Sequence, residues 1–247
     1  MPATPEYILE VLKDSHRQQS QHDPEADEDA ILTFDSTIHE WREACDLVEW
    51  RKLGEAMNNW FKTDFSSDEW KTVLEPAKKK NLSGVCELLA AKVKTLEVKP
   101  FGRNCFNAGM FLTIRTLLKR AGIQEKIKPS TPLAPMLKNH AGEILVEISK
   151  LEPGALPEIK IHHPFYDFSV WAFILSWVVL AIGYFVGPSF VVFGVCLAAI
   201  SYAAIWISAK SKPQRVELGL LRDFRDLTLQ VVKARNQRMA ARHGFEP

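Results

Sequence analysis

Between Asp167 and Lys210 the chain runs for 42 residues without a formal charge, dominated by Phe, Trp, Val, Ile, Leu and Ala. A stretch of that kind has few ways to fold. About 20 apolar residues match the thickness of a bilayer's hydrocarbon core, so the run is long enough for two helices, placed at Ser169 to Phe185 and Ser189 to Ala209. Gly183-Tyr184-Phe185-Val186-Gly187-Pro188 interrupts it near the middle. Glycine permits the reversal, and Pro188 is tolerated in the first turn of a following helix, where its missing N–H costs no internal bond. The expectation is a transmembrane hairpin over 168–209, with a helical pair buried inside a soluble core as the alternative.

Charge around the run sets an expected orientation. Lys150 and Lys160 precede it and Lys210, Lys212, Arg215, Arg222 and Arg225 follow, while the turn carries none. By the positive-inside tendency both termini fall on the cytoplasmic side of an integral membrane protein with two crossings. Met1 to Asp14 has no apolar stretch of signal-peptide length, which agrees with that placement.

The formal net charge of +1 conceals an asymmetry, −4 before Lys210 and +5 from Lys210 onward. The basic tail, 210–247, carries Lys210, Lys212, Arg215, Arg222, Arg225, Lys233, Arg235, Arg238 and Arg242. These form a candidate membrane-surface set, attracted to anionic headgroups, with the lipid bilayer as partner. Leu220, Leu221, Phe224, Leu227 and Val231 give the tail an apolar stripe that either enters the interface or completes the helical body. The body offers no footprint for nucleic acid.

Before the run, four segments are distinguishable. Residues 1–33 combine a short helix, Tyr7 to Leu12, with a polar stretch from Ser15 to Asp29 that reads as mobile. Its Asp23, Glu25, Asp27, Glu28 and Asp29 lack the glycine and spacing of a calcium loop. Residues 34–128 read as a helical cytoplasmic domain. Asp35 or Ser36 caps a helix to about Phe61, on which Ile38, Trp41, Cys45, Val48, Leu53, Met57 and Trp60 recur at three- and four-residue steps. Helical spacing makes Trp41, Trp50, Trp60 and Trp70 core residues rather than a binding groove.

Ser66 and Glu69 have the spacing of a capping box for a short helix ended by Pro76, and Lys78-Lys79-Lys80 reads as a solvated turn. Leu82, Val85, Leu89 and Val93 line one face of the next helix. The helix from Cys105 to Ala121 is apolar on more than one side, and Gly122 can close it in the left-handed conformation. Arg103, Arg115, Lys119 and Arg120 offer charge for an anionic ligand, although no glycine-rich phosphate loop accompanies them. Residues 129–167 hold six prolines and read as a connector with short strands at Glu143 to Ile148 and Leu156 to Ile161.

Chemistry-bearing patterns are sparse. Cys45, Cys86, Cys105 and Cys196 are widely spaced, form no CxxC pair and read as reduced thiols. His162, His163 and Asp167 are weak metal candidates, because Pro164 prevents one regular helical face from presenting them together. No GxSxG, HExxH, GxGxxG or GxxxxGK[ST] arrangement occurs, so no catalytic residue is assigned and no cofactor is implied. Gly183 with Gly187, and Gly194 with Ala198, have the small-xxx-small spacing that allows close helix association.

The resulting expectation is a mainly α protein: a helical cytoplasmic domain, a two-helix transmembrane hairpin and an amphipathic C-terminal helix. Its expected role is that of a membrane-anchored interaction or regulatory protein acting through a protein partner or homo-oligomer. A ligand-triggered oligomeric membrane effector or pore, with Ser169, Ser176 or Ser201 as lining, is one alternative. A lipid-modifying enzyme is the other.

Overall fold

The computed structural model describes residues 2–21, 23, 25–95, 98, 105–162, 164–209 and 215–242. The fold is mainly α, with ten helices among the described residues. The chain divides into two compact units, one of Met1–Lys160 with Glu217–Pro247, the other of Ile161–Val216.

The first unit begins with α1, Pro5–Ser20, where Thr4 accepts from the Tyr7 amide and Pro5 occupies the first turn. Its first half buries Ile8, Leu9, Val11 and Leu12. The helix continues two turns beyond the expected Leu12, because Asp14 and Gln18 extend the same buried face with polar groups that find partners inside the fold. The region expected as one long helix to Phe61 is two: α2, Ile38–Ala44, and α3, Trp50–Phe61. Thr37, not Asp35 or Ser36, is the cap, in a reciprocal box with Glu40, and Asp46 at φ 42° marks the break.

Next come α4, Ser67–Leu74, with the Ser66–Glu69 box in place, and α5, Leu82–Lys92. Side chains from α1 through α5 form a continuous core containing Ile8, Leu12, Trp41, Leu53, Trp70, Leu74 and Leu89. Trp41 and Trp70 are buried, while Trp50 and Trp60 pack at its margin.

Three further helices complete this unit. In α6, Phe106–Arg120, the buried face is Met110, Ile114, Leu117 and Leu118. Gly122 follows at φ 103°, and the Ile123 amide donates back to Leu118 O, folding Ile123 over the helix end. The proline-rich stretch expected to be extended instead holds the 19-residue α7, Leu133–Leu151, kinked at His140. Pro135 lies in its first turn, where proline removes no helical bond.

The last helix, α10, Phe224–Arg242, packs against α6 and buries Phe224, Leu227 and Val231. Its start is pinned beside that of α7: Leu133 N–H donates to Arg222 O, and Phe224 N–H donates to Thr131 O. Three residues of the tail's apolar stripe, Phe224, Leu227 and Val231, therefore complete a protein core, whereas Leu220 is exposed and Leu221 half-buried. Two four-residue strands, β1, Ile159–His162, and β2, Arg215–Leu218, pair where the chain leaves and re-enters this unit.

The second unit contains α8, Pro164–Val186, and α9, Pro188–Ala209, joined at Gly187 with φ 148°. The expected pair of helices and their reversal are present, but the transmembrane assignment is corrected. Among the described residues no helix is long and apolar enough to cross a membrane.

With that assignment go the expectations built on it: the membrane anchor, the membrane effector or pore, the lipid-modifying enzyme, the lipid bilayer as partner, and two crossings with cytoplasmic termini.

Candidate interaction surface and polar clusters

Within the second unit, the helices meet along faces that recur at three- and four-residue steps. On α8 this face carries Ser169, Phe173, Ser176 and Leu180; on α9 it carries Gly194 and Ser201, with the largely exposed Tyr202 at its edge. Ser169, Ser176 and Ser201 are buried, and Ser176 Oγ donates to Phe173 O at 2.6 Å. The Phe173 and Tyr202 rings lie 6.4 Å apart across the pair. A Cβ on Gly194 would stand 2.8 Å from the Leu180 side chain and 3.2 Å from its backbone nitrogen, so glycine is what permits this approach.

The outside of the hairpin has the opposite character. Phe168 is 73% exposed, Trp171 70%, Trp177 60% and Trp206 58%, with Leu175, Ile182, Tyr184, Val192, Phe193, Ile200 and Ile207 also exposed. At roughly 200 Å² per aromatic side chain, those first four residues alone leave about 500 Å² of largely apolar surface uncovered. That is already the size of the largest apolar patch on an ordinary monomer.

Several buried polar groups of the first unit are held in small hydrogen-bonded clusters. Asp14, 4% exposed, accepts from Ser149 Oγ at 2.7 Å and Gln18 Nε2 at 2.9 Å through one oxygen. Through the other it accepts from Arg17 Nε at 3.1 Å and an Arg17 terminal nitrogen at 2.7 Å. Arg17 also donates to Leu156 O, and Gln18 Nε2 donates to Ser149 Oγ at 2.5 Å. This closed network ties α1 to α7. It contains a serine and a carboxylate but no imidazole between them, and Ser149 is 2% exposed, so nothing delivers a substrate to that hydroxyl.

Nearby, the Tyr7 hydroxyl donates to Lys150 O, and burial pushes its pKa up to about 12. Arg238 on α10 lies 2.9 Å from the buried Glu152 and donates to Pro153 O. Of the tail's other basic residues, Arg222, Arg225 and Lys233 are exposed, and Arg235 lies 5.8 Å from the Phe106 ring centre. Lys210 and Lys212 lie outside the described residues, as do the side chains of Arg215 and Arg242.

Cys45 and Cys86 are buried, with desolvation pushing both thiols up to about 12; Cys105 and Cys196 are exposed, and all four are free. High pKa and burial make the first two poor nucleophiles. His163 and the side chains of His162 and Asp167 lie outside the described residues, and among the described residues no group of three or more His, Cys, Asp or Glu could hold a metal ion. Gly183 keeps its helical place in α8, while Gly187 forms the turn.

Arg115 and Lys119, which the sequence places on one face of α6, line a concave region of about 560 Å³. Lys126 and Lys128 join them there, whereas Arg120 does not line it and Arg103 lies outside the described residues. The missed lysines follow Gly122, and only the reversal there brings them beside α6. No protein-family model, no curated protein and no solved structure matches the chain.

Proposed function

We propose that this chain is an assembly protein, in which the α8–α9 hairpin joins copies of the chain and the helical unit is the body so displayed. The observation that carries the reading is the inverted character of the hairpin: serines and glycine lie between the helices, while tryptophans and branched aliphatics face outward. Large exposed apolar surface is covered by a partner in ordinary proteins. A second copy supplies a surface of the same chemistry, and a two-fold arrangement lets one patch cover itself. Aromatic side chains of this kind are what anchor protein interfaces.

The test is light scattering on the full chain after size-exclusion chromatography, with and without the replacements Trp171→Gln and Trp206→Gln. Both side chains are exposed, so the hairpin fold should survive and far-UV circular dichroism should be unchanged. The expected result is an oligomer that becomes monomeric in the double variant. A wild-type chain that is monomeric at micromolar concentration, or that floats as a monomer with phosphatidylcholine vesicles, would overturn the proposal.

A further inference from the structure

The concave region beside α6 owes its shape to a short sequence pattern. Arg115 and Lys119 are four residues apart and so project side by side from the exposed face of α6. After Gly122 the chain doubles back, and Ile123 and Ile127, both buried, fasten the following segment to the body. Lys126 and Lys128 flank Ile127 and remain exposed. The groove between helix and segment is thereby walled by Arg115, Lys119, Lys126 and Lys128, with Phe111 and Pro129 also in its lining.

Its charge is unbalanced. Among the described residues none of these four cations has a carboxylate within ion-pair distance. Glu125, the acid of the lining, is engaged elsewhere: His140 Nε2 lies 2.9 Å from its carboxylate, and that hydrogen bond holds its pKa below the usual range. Four like charges converging on a concavity repel one another and raise the local concentration of anions. Phe111 supplies an aromatic face beside them, with the Arg115 guanidinium 6.0 Å from its ring centre. The volume, about 560 Å³, falls within the range of small-molecule sites.

We infer that this groove binds a nucleoside polyphosphate, its phosphates held by Lys119, Lys126 and Lys128 and its base lying against Phe111. The charge calls for a multiply anionic ligand, and the aromatic and apolar lining calls for a flat ring attached to it. Recognition here is by cationic side chains rather than by a loop of backbone amides, which accounts for the absence of a glycine-rich phosphate motif. The site lies wholly in the helical unit and is independent of assembly through the hairpin.

Isothermal titration of the full chain with ATP, adenosine and inorganic tripolyphosphate tests it. ATP should bind with an affinity that falls as salt rises, at least tenfold more tightly than tripolyphosphate, while adenosine gives no heat. The double replacement Lys119→Gln, Lys126→Gln should weaken ATP at least tenfold with the melting temperature unchanged, since both side chains are exposed. Phe111→Leu should abolish the preference over tripolyphosphate. The inference is overturned by absence of ATP binding at millimolar concentration, by equal binding of ATP and tripolyphosphate, by affinity unaffected in the double variant, or by a polyglutamate peptide binding more tightly than ATP.

Discussion

Replacing Asp14 with alanine removes one carboxylate that accepts four hydrogen bonds at 2.7 to 3.1 Å. Two donors, Ser149 Oγ and Gln18 Nε2, belong to buried residues. A buried donor stripped of its acceptor costs about 1–2 kcal/mol. The Arg17 arm is 39% exposed in its side chain, so solvent takes over much of that pairing, and it adds less than about 1 kcal/mol. The expected loss is therefore about 3 kcal/mol, a substantial part of the roughly 5–15 kcal/mol that holds an ordinary domain together.

Because the Asp14–Ser149 bond is shared, Asp14→Ala combined with Ser149→Ala should cost at least about 1 kcal/mol less than the sum of the single changes. Urea unfolding followed by circular dichroism gives the total. Hydrogen exchange localises it, with protection lost in α1 and α7 peptides first. A loss below about 1 kcal/mol, or additive effects in the double variant, would refute the assignment of this network as the tie between the two helices.

Gly54→Ala should destabilise the helical unit by about 1–3 kcal/mol, because the new Cβ would stand 2.7 Å from the buried Trp70 ring; the urea midpoint measures it. Gly194→Val should open the α8–α9 contact at Leu180 and lower the hairpin's thermal stability, read from hydrogen exchange of 191–207. Tyr7 has a folded pKa raised to about 12 against 10.0. Its contribution is complete below pH 10 and is lost as pH rises from there through 12, a fall of about 2–3 kcal/mol. Cys45 and Cys86 shift in the same direction, so the difference between wild type and Tyr7→Phe across that window isolates the phenol.

Legibility in the sequence follows the kind of signal each element carries. The Ser66–Glu69 box, the reversal at Gly122 and the apolar face of α10 depend on local spacing, and each is present. The second half of α1 was hidden because Asp14 and Gln18 look like solvent-facing residues until Ser149, more than 130 residues away, is brought against them. In α7 six nearby prolines suggested extended chain, yet the one inside the helix occupies its first turn. The 42-residue uncharged run fixed two helices and a turn correctly, but composition alone carried the further step to a membrane crossing, and among the described residues no helix meets that requirement. At the basic groove, Arg115 and Lys119 were legible as an i, i+4 pair, whereas Lys126 and Lys128 joined them only through the fold.

Cys196 offers the most direct measurement of hairpin-mediated assembly, because it is an exposed, free thiol on α9. In a Cys105→Ser background it is the one exposed cysteine, Cys45 and Cys86 being buried. Treating that protein at micromolar concentration with a short bis-maleimide should yield a covalent dimer that is lost when Trp171 and Trp206 are replaced by glutamine. Complete labelling of Cys196 with no dimer formed would contradict the account.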